Sequence, residues 1–215
     1  MTTGRAESRR DELAALVGPI QDDLAASNAA RELALPACRQ VIRASGSSIR
    51  AVHRLEPERA AALADDAEAA LRTAQEVLAP FPAIREAGFL HDAEKEYVEA
   101  RTVAALIDGR PLPGPAELAV EPTAWMRGLA EAASELRRHL LDRLRDGDLA
   151  RGEQLLAVMD DVYDALVVID WPDAITGGLR RTLDALRAVL ERTRGDVTTT
   201  VLQTRLQRAL EAGGG

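Results

Sequence analysis

The sequence predicts an all-α protein of seven long helices. Three observations predict it. Apolar residues recur at helical spacing through almost every stretch between turn signals, and no stretch alternates convincingly at period two. The composition is 47% apolar but only 3% aromatic, so the core must be built mostly from Ala, Leu and Val. Ala and Leu lose little rotamer freedom in a helix, which favours long helices at close quarters.

The elements follow from their start and stop signals. The first periodic pattern runs from Asp11 to Arg54, interrupted by Gly18-Pro19 and Pro36. Proline removes a helical hydrogen bond, so a short helix followed by a long, bent one is expected. Glu56-Pro57-Glu58 opens a helix ending near Leu78, and Pro82 opens another that closes at Asp108-Gly109. Gly109–Pro122, with four prolines and two glycines, reads as a linker. Four helices are expected after it: Pro122–Arg145, Leu149–Ile169, Asp173–Thr193 and Val197–Ala212. Asp146-Gly147-Asp148, Asp170-Trp171-Pro172 and Arg194-Gly195-Asp196 separate them, each offering a stop and an acidic N-cap. Gly177-Gly178 reads as an irregularity inside a helix. Residues 11–212 are expected to form one domain, because the helices on both sides of the linker need each other's apolar faces. Residues 1–10 and 213–215 are expected to be flexible ends.

The net charge of −8 argues against a uniformly basic nucleic-acid binder, though it permits a local basic lining. Cys38 is the only cysteine, so neither an internal disulfide nor a cysteine zinc site is available. The opening MTTGRAESRR lacks an apolar core of signal-peptide type, and no apolar run reaches membrane-spanning length. A cytoplasmic protein without a membrane partner is the expectation. Lys95 is the only lysine among 27 basic residues, which reads as codon bias.

The chain has no phosphate-binding glycine loop and no H-E-x-x-H, and His53, His91 and His139 lie far apart. Carboxylates remain. HDAEKEYVEA (His91–Ala100) holds four acids within eight residues. At 100° per residue its apolar stripe is Phe89, Leu90, Ala93, Tyr97, Ala100, Ala104 and Ile107. Glu96 falls at the edge of that stripe, with Asp92 and Glu99 just beyond on a flank shared with Val103 and Leu106. An acid beside apolar neighbours needs a partner: an arginine, a hydrogen-bond donor or a cation. Glu131, Glu135 and Asp142 share one face of the following helix, opposite Trp125, Leu129, Leu136 and Leu140, and Glu135-Arg138-Asp142 suits a chain of ion pairs. Spacing leaves two readings open. The acids are ion-paired surfaces, or the two flanks face a common space and form an oxygen-rich site suited to Mg²⁺ or Mn²⁺. Arg39, Arg43, Arg50 and Arg54 fall near one helical face, which suits either acids or phosphates.

EYVEA (Glu96–Ala100), followed by GLAEAASELRRHLLDRLRDGDLARGEQLLAVMDDVYDAL (Gly128–Leu166), resembles the translin family, on the branch of translin-associated factor X and its prokaryotic relatives. CRQVIRASGSSIRAVHR (Cys38–Arg54) is similar to that family's early helix, and LRRTLDALRAVLERTRGDV (Leu179–Val197) to its penultimate one; together these cover residues 30–200 in matching order. The resemblance implies a seven-helix subunit assembling into a hollow homo-oligomer, usually an octamer. It also implies a Mg²⁺-dependent endoribonuclease acting on single-stranded RNA inside the shell, with single-stranded DNA as a second candidate ligand. Its catalytic carboxylates match Glu96, Glu99, Glu131 and Glu135. Glu96, Glu99 and Glu135 would then hold the metal, Glu131 would be a further ligand or a base, and Arg39, Arg43, Arg54 and Arg101 would contact phosphates. Gln40 stands where relatives often carry Asp, and Glu131 where Asp is usual. A non-catalytic single-strand-binding shell is the alternative.

Overall fold

The computed structural model of the protein describes residues 3–213. Among these the elements are α1 (Thr3–His53), α2 (Pro57–Leu78), α3 (Pro82–Arg85), α4 (Phe89–Asp108), α5 (Pro115–Leu118), α6 (Pro122–Arg145), α7 (Leu149–Val167), α8 (Asp173–Thr176) and α9 (Leu179–Gly213), with no strand among the described residues. The all-α expectation holds; besides the short α5 inside the expected linker, the helix boundaries differ from it in three places.

The first difference is α1, which runs unbroken through Pro19 and Pro36. Both prolines face solvent, where water can satisfy the carbonyl that each ring leaves without a donor. Around Pro36 the buried stripe Ala30, Ala34, Cys38, Val41 keeps α1 seated on α2 and α4. The second is the helix expected from Pro82, which is split at Gly88, whose φ of +97° belongs to the region that side chains avoid. The third lies at the end of the chain. Gly177 and Gly178 both have positive φ and break α8 from α9. Arg194-Gly195-Asp196, expected to be a stop, lies inside α9. There Arg137 of α6 donates to Thr193 Oγ1 at 3.0 Å and pairs with Asp196 at 2.8 Å, and Val197 is buried just beyond. Packing thus takes the aspartate that capping would have used. Of the ends expected to be flexible, residues 1, 2, 214 and 215 lie outside the described residues, and Thr3–Arg10 is helical.

Two apolar clusters fill the interior. One joins Val41, Leu71, Leu78, Leu90, Tyr97 and Val98 of α1, α2 and α4. The other joins Val103, Leu129, Leu136, Leu155, Met159 and Leu186 of α4, α6, α7 and α9. α4 contributes to both, and Trp125 packs against both. The Trp125 indole N–H donates to the Pro113 carbonyl at 2.9 Å, while Leu118 and Val120 are buried, so the linker is strapped to the bundle. No helix among the described residues is long and apolar enough to cross a membrane.

Candidate metal centre

The site forms where α4 crosses α6. A Cβ at Gly128 would lie 2.6 Å from the Lys95 carbonyl oxygen and 2.7 Å from Val98 Cβ, so only glycine allows the helices this approach. With α1 and α2 packed on another side, α4 buries residues around most of its circumference, including Glu94, Lys95 and Glu99. The four acids of HDAEKEYVEA therefore have separate fates. Asp92 is exposed. Glu94 is 1% exposed and accepts a hydrogen bond from Gln75 at 2.8 Å, a structural role on another face of α4. Glu96 and Glu99 meet Glu131 of α6.

Glu96, Glu99 and Glu131 each offer one carboxylate oxygen, and all three oxygens lie within 4.8 Å of one another. Glu99, 8% exposed, forms the floor of the cluster. Burial, followed by the charges of Glu96, Glu131 and Glu135, pushes its pKa up to about 8, against an opposing pull from Lys95. The Lys95 ammonium donates to Glu96 Oε1 at 3.0 Å and to Glu131 Oε2, tying α4 to α6. Burial alone would lower the lysine pKa, but the bonds to Glu131 and Glu96 outweigh it and hold the group above its ordinary value.

Glu135 lies one turn along α6 from Glu131. Its carboxylate is 3.1 Å from His53 Nε2, and that hydrogen bond holds it below the usual carboxylate range against the opposing effect of burial. The His53 side chain is 2% exposed, and its Nδ1 is buried without a partner among the described residues. The expected Glu135-Arg138-Asp142 chain of ion pairs is absent among the described residues. Glu135 turns to His53 and Asp142 pairs with Arg145 at 2.7 Å, because the end of α1 reaches Glu135 first.

The candidate phosphate contacts divide. Arg39, Arg43 and Arg54 are exposed and pair with no acid among the described residues. Arg101 is engaged elsewhere. It donates to Asp65 at 2.8 Å and Glu68 at 2.7 Å and stands 5.4 Å over the Tyr97 ring; the hydrogen bond from Arg72, followed by those from Tyr97 and Arg101, holds Glu68 down at about 2. Three hard carboxylate donors in a half-buried recess suit Mg²⁺ or Mn²⁺ by donor chemistry. Glu131, expected as a further ligand or a base, completes the compact triad with Glu96 and Glu99, while Glu135, expected as the third ligand, lies outside it, hydrogen-bonded to His53. Sequence reasoning passed over Lys95 and Gly128. The solitary lysine was the available signal for the first. For the second, nothing in the sequence distinguishes a packing glycine from any other in a helix.

No family model matches the chain. The chain is similar to the solved structure of an AfC3PO–duplex RNA complex, at 33% identity over 93% of this chain and 97% of that chain, with a TM-score of 0.66. It is similar to the crystal structure of AfC3PO at 31% identity over 93% and 98%, with a TM-score of 0.70. The crystal structure of apo-NeC3PO, at 18% identity over 86% and 96% and a TM-score of 0.75, shares the fold. An uncharacterized protein of Methanocaldococcus jannaschii is 28% identical over 195 residues, 87% of this chain and 84% of that protein.

Proposed function

Because the chain belongs to the translin family, we propose that it is an endoribonuclease of the translin-associated factor X type, using Mg²⁺ to cleave single-stranded RNA inside a hollow homo-oligomer. The observation that carries this reading is the convergence of Glu96, Glu99 and Glu131 on one recess, with the Glu99 carboxyl held at about 8. A buried acid crowded by other carboxylates is the kind of group that a divalent cation would stabilise as an anion. The AfC3PO–duplex RNA complex supports RNA as the ligand class.

Glu96, Glu99 and Glu131 would hold the ion, and Glu99 gives up its proton when they do so. A bound Mg²⁺ supplies Lewis acidity toward a phosphoryl oxygen and lowers the pKa of water for attack. Glu135, which the hydrogen bond from His53 keeps ionised, would be the neighbouring carboxylate able to accept a proton from an attacking water. Arg39, Arg43 and Arg54 supply exposed positive charge for the strand, which an acidic chain needs locally.

The test is incubation of purified protein with end-labelled single-stranded and duplex RNA, in Mg²⁺ and in EDTA. Cleavage in Mg²⁺ alone is expected. RNA that is bound yet intact under both conditions removes the nuclease reading and leaves a binding shell, a second reading that the Lys95 ammonium between Glu96 and Glu131 favours. Replacing Arg39 and Arg43 together with Ala is expected to weaken RNA binding and to reduce the slope of log affinity against log salt by about 0.7 per lost phosphate contact. An unchanged slope in filter binding would remove these residues from the nucleic-acid path.

A further inference from the structure

Lys95 is the only lysine in a chain that otherwise uses arginine for all its basic positions. It is 9% exposed, and its ammonium bridges Glu96 and Glu131, two of the three acids that converge in the recess. A divalent ion taking oxygens from both of those carboxylates would bind beside the ammonium and compete with it for the same negative charge. Two cations a few ångströms apart in a half-buried site repel strongly. An ammonium is a compact charge on a flexible four-carbon stem and is able to withdraw. A guanidinium forks between carboxylates in a fixed plane and would be harder to dislodge.

We propose that Lys95 is a built-in counter-cation, bridging Glu96 and Glu131 in the metal-free protein and yielding its place when a divalent ion binds, so that this one side chain sets the affinity of the site. The inference rests on the metal reading above and adds to it a competitor carried by the chain itself. In the metal-free state the bridge holds α4 to α6 and relieves repulsion between two acids. In the loaded state the ion takes over both tasks and the bridge is redundant.

The experiment is calorimetric titration of Mn²⁺ into metal-free protein, comparing wild type with Lys95→Met and Lys95→Arg, beside melting curves in EDTA and in saturating Mn²⁺. Lys95→Met is expected to bind Mn²⁺ about tenfold or more tightly than wild type, and Lys95→Arg more weakly than wild type. In EDTA the Met variant melts below wild type, and Mn²⁺ raises its melting temperature by more than it raises that of wild type. Lys95→Gln, which still donates to the carboxylates, replaces Lys95→Met if the latter fails to fold, and the same tightening is expected. Equal or weaker Mn²⁺ binding on removing the charge, with melting lowered equally in EDTA and in Mn²⁺, makes Lys95 a structural tie and overturns the proposal. Binding in the Met variant but not in wild type supports the proposal and instead ends the nuclease reading of the natural chain. Binding in none of the proteins ends the metal reading, and the counter-cation role with it.

Discussion

Glu99→Gln is expected to lose metal-dependent RNA cleavage by about a hundredfold or more while gaining stability in EDTA. The first effect follows from replacing the innermost carboxylate of the recess with a neutral amide, whose single oxygen is a much weaker ligand for a divalent ion. A loss of about 3 kcal/mol of transition-state stabilisation corresponds to about two powers of ten in rate. The second effect follows from the carboxyl's pKa, which the fold raises from 4.5 to about 8. A group whose pKa is raised on folding contributes its full stability below the unfolded value and loses it as pH climbs toward the folded value. Wild type therefore loses stability from this group between about pH 4.5 and 8, up to about 4 kcal/mol over that window.

Glutamine carries no charge to desolvate, and its amide donates to the neighbouring carboxylates. At pH 8 in EDTA the variant is expected to melt about 5–10 °C above wild type, with the gap closing toward pH 5. His91 and His139, whose pKa values burial lowers, titrate in the opposite sense in both proteins, so the difference between the two melting curves isolates Glu99. Parallel curves from pH 5 to 8 would show that Glu99 is not strained in the fold. A variant that is destabilised throughout would make it a structural hydrogen-bonding group.

Gly128→Ala is expected to cost about 3 kcal/mol in chemical denaturation, although alanine is the better helix former by about 1 kcal/mol. The added methyl meets the Lys95 carbonyl oxygen at 2.6 Å, Val98 Cβ at 2.7 Å and Val98 Cγ1 at 2.8 Å. Neither a helix backbone nor a fully buried valine can swing aside, so α4 and α6 must separate. Separation draws Glu131 away from Glu96 and Glu99, and metal affinity is expected to fall together with stability.

Gly152→Ala is the control. Its methyl would meet Leu144 Cδ2 at 2.6 Å, the end of a side chain that can change rotamer, and the helical gain offsets the adjustment. Near-wild-type stability is expected there. If Gly128→Ala unfolds at the same denaturant concentration as wild type, the close approach of α4 and α6 is not what spaces the carboxylates.

Much of the helix layout was readable locally. Pro57 and Pro122 stand at helix N-termini, and the Asp148 side chain accepts from the Arg151 N–H at 3.1 Å, so α2, α6 and α7 begin where short-range chemistry says they should. The misread places have two causes. Pro36 and Gly195 carry local breaking signals that buried neighbours on adjacent helices override. Gly88 breaks a periodic pattern through a positive φ that no count of apolar residues registers.

The acids were legible as residues of interest, and their arrangement was not. Glu131 lies on a face of α6 that periodicity assigns to solvent, because a recess between helices wets a face as the exterior does. Glu135 had an arginine three residues away on its own helix, yet His53, 82 residues distant in sequence, reaches it. Arg101 looked as available as Arg43, until packing set Asp65 and Glu68 beside it.

By itself the sequence determined the all-α class, the starts of α2, α6 and α7 and the family likeness, since helical period and helix-start signals depend on neighbours three or four residues away. Only the tertiary structure decided which carboxylates meet, that Glu99 becomes a buried acid and that the one lysine sits between Glu96 and Glu131. Those outcomes depend on how closely two helices approach at Gly128, a distance set by side chains far apart in the chain.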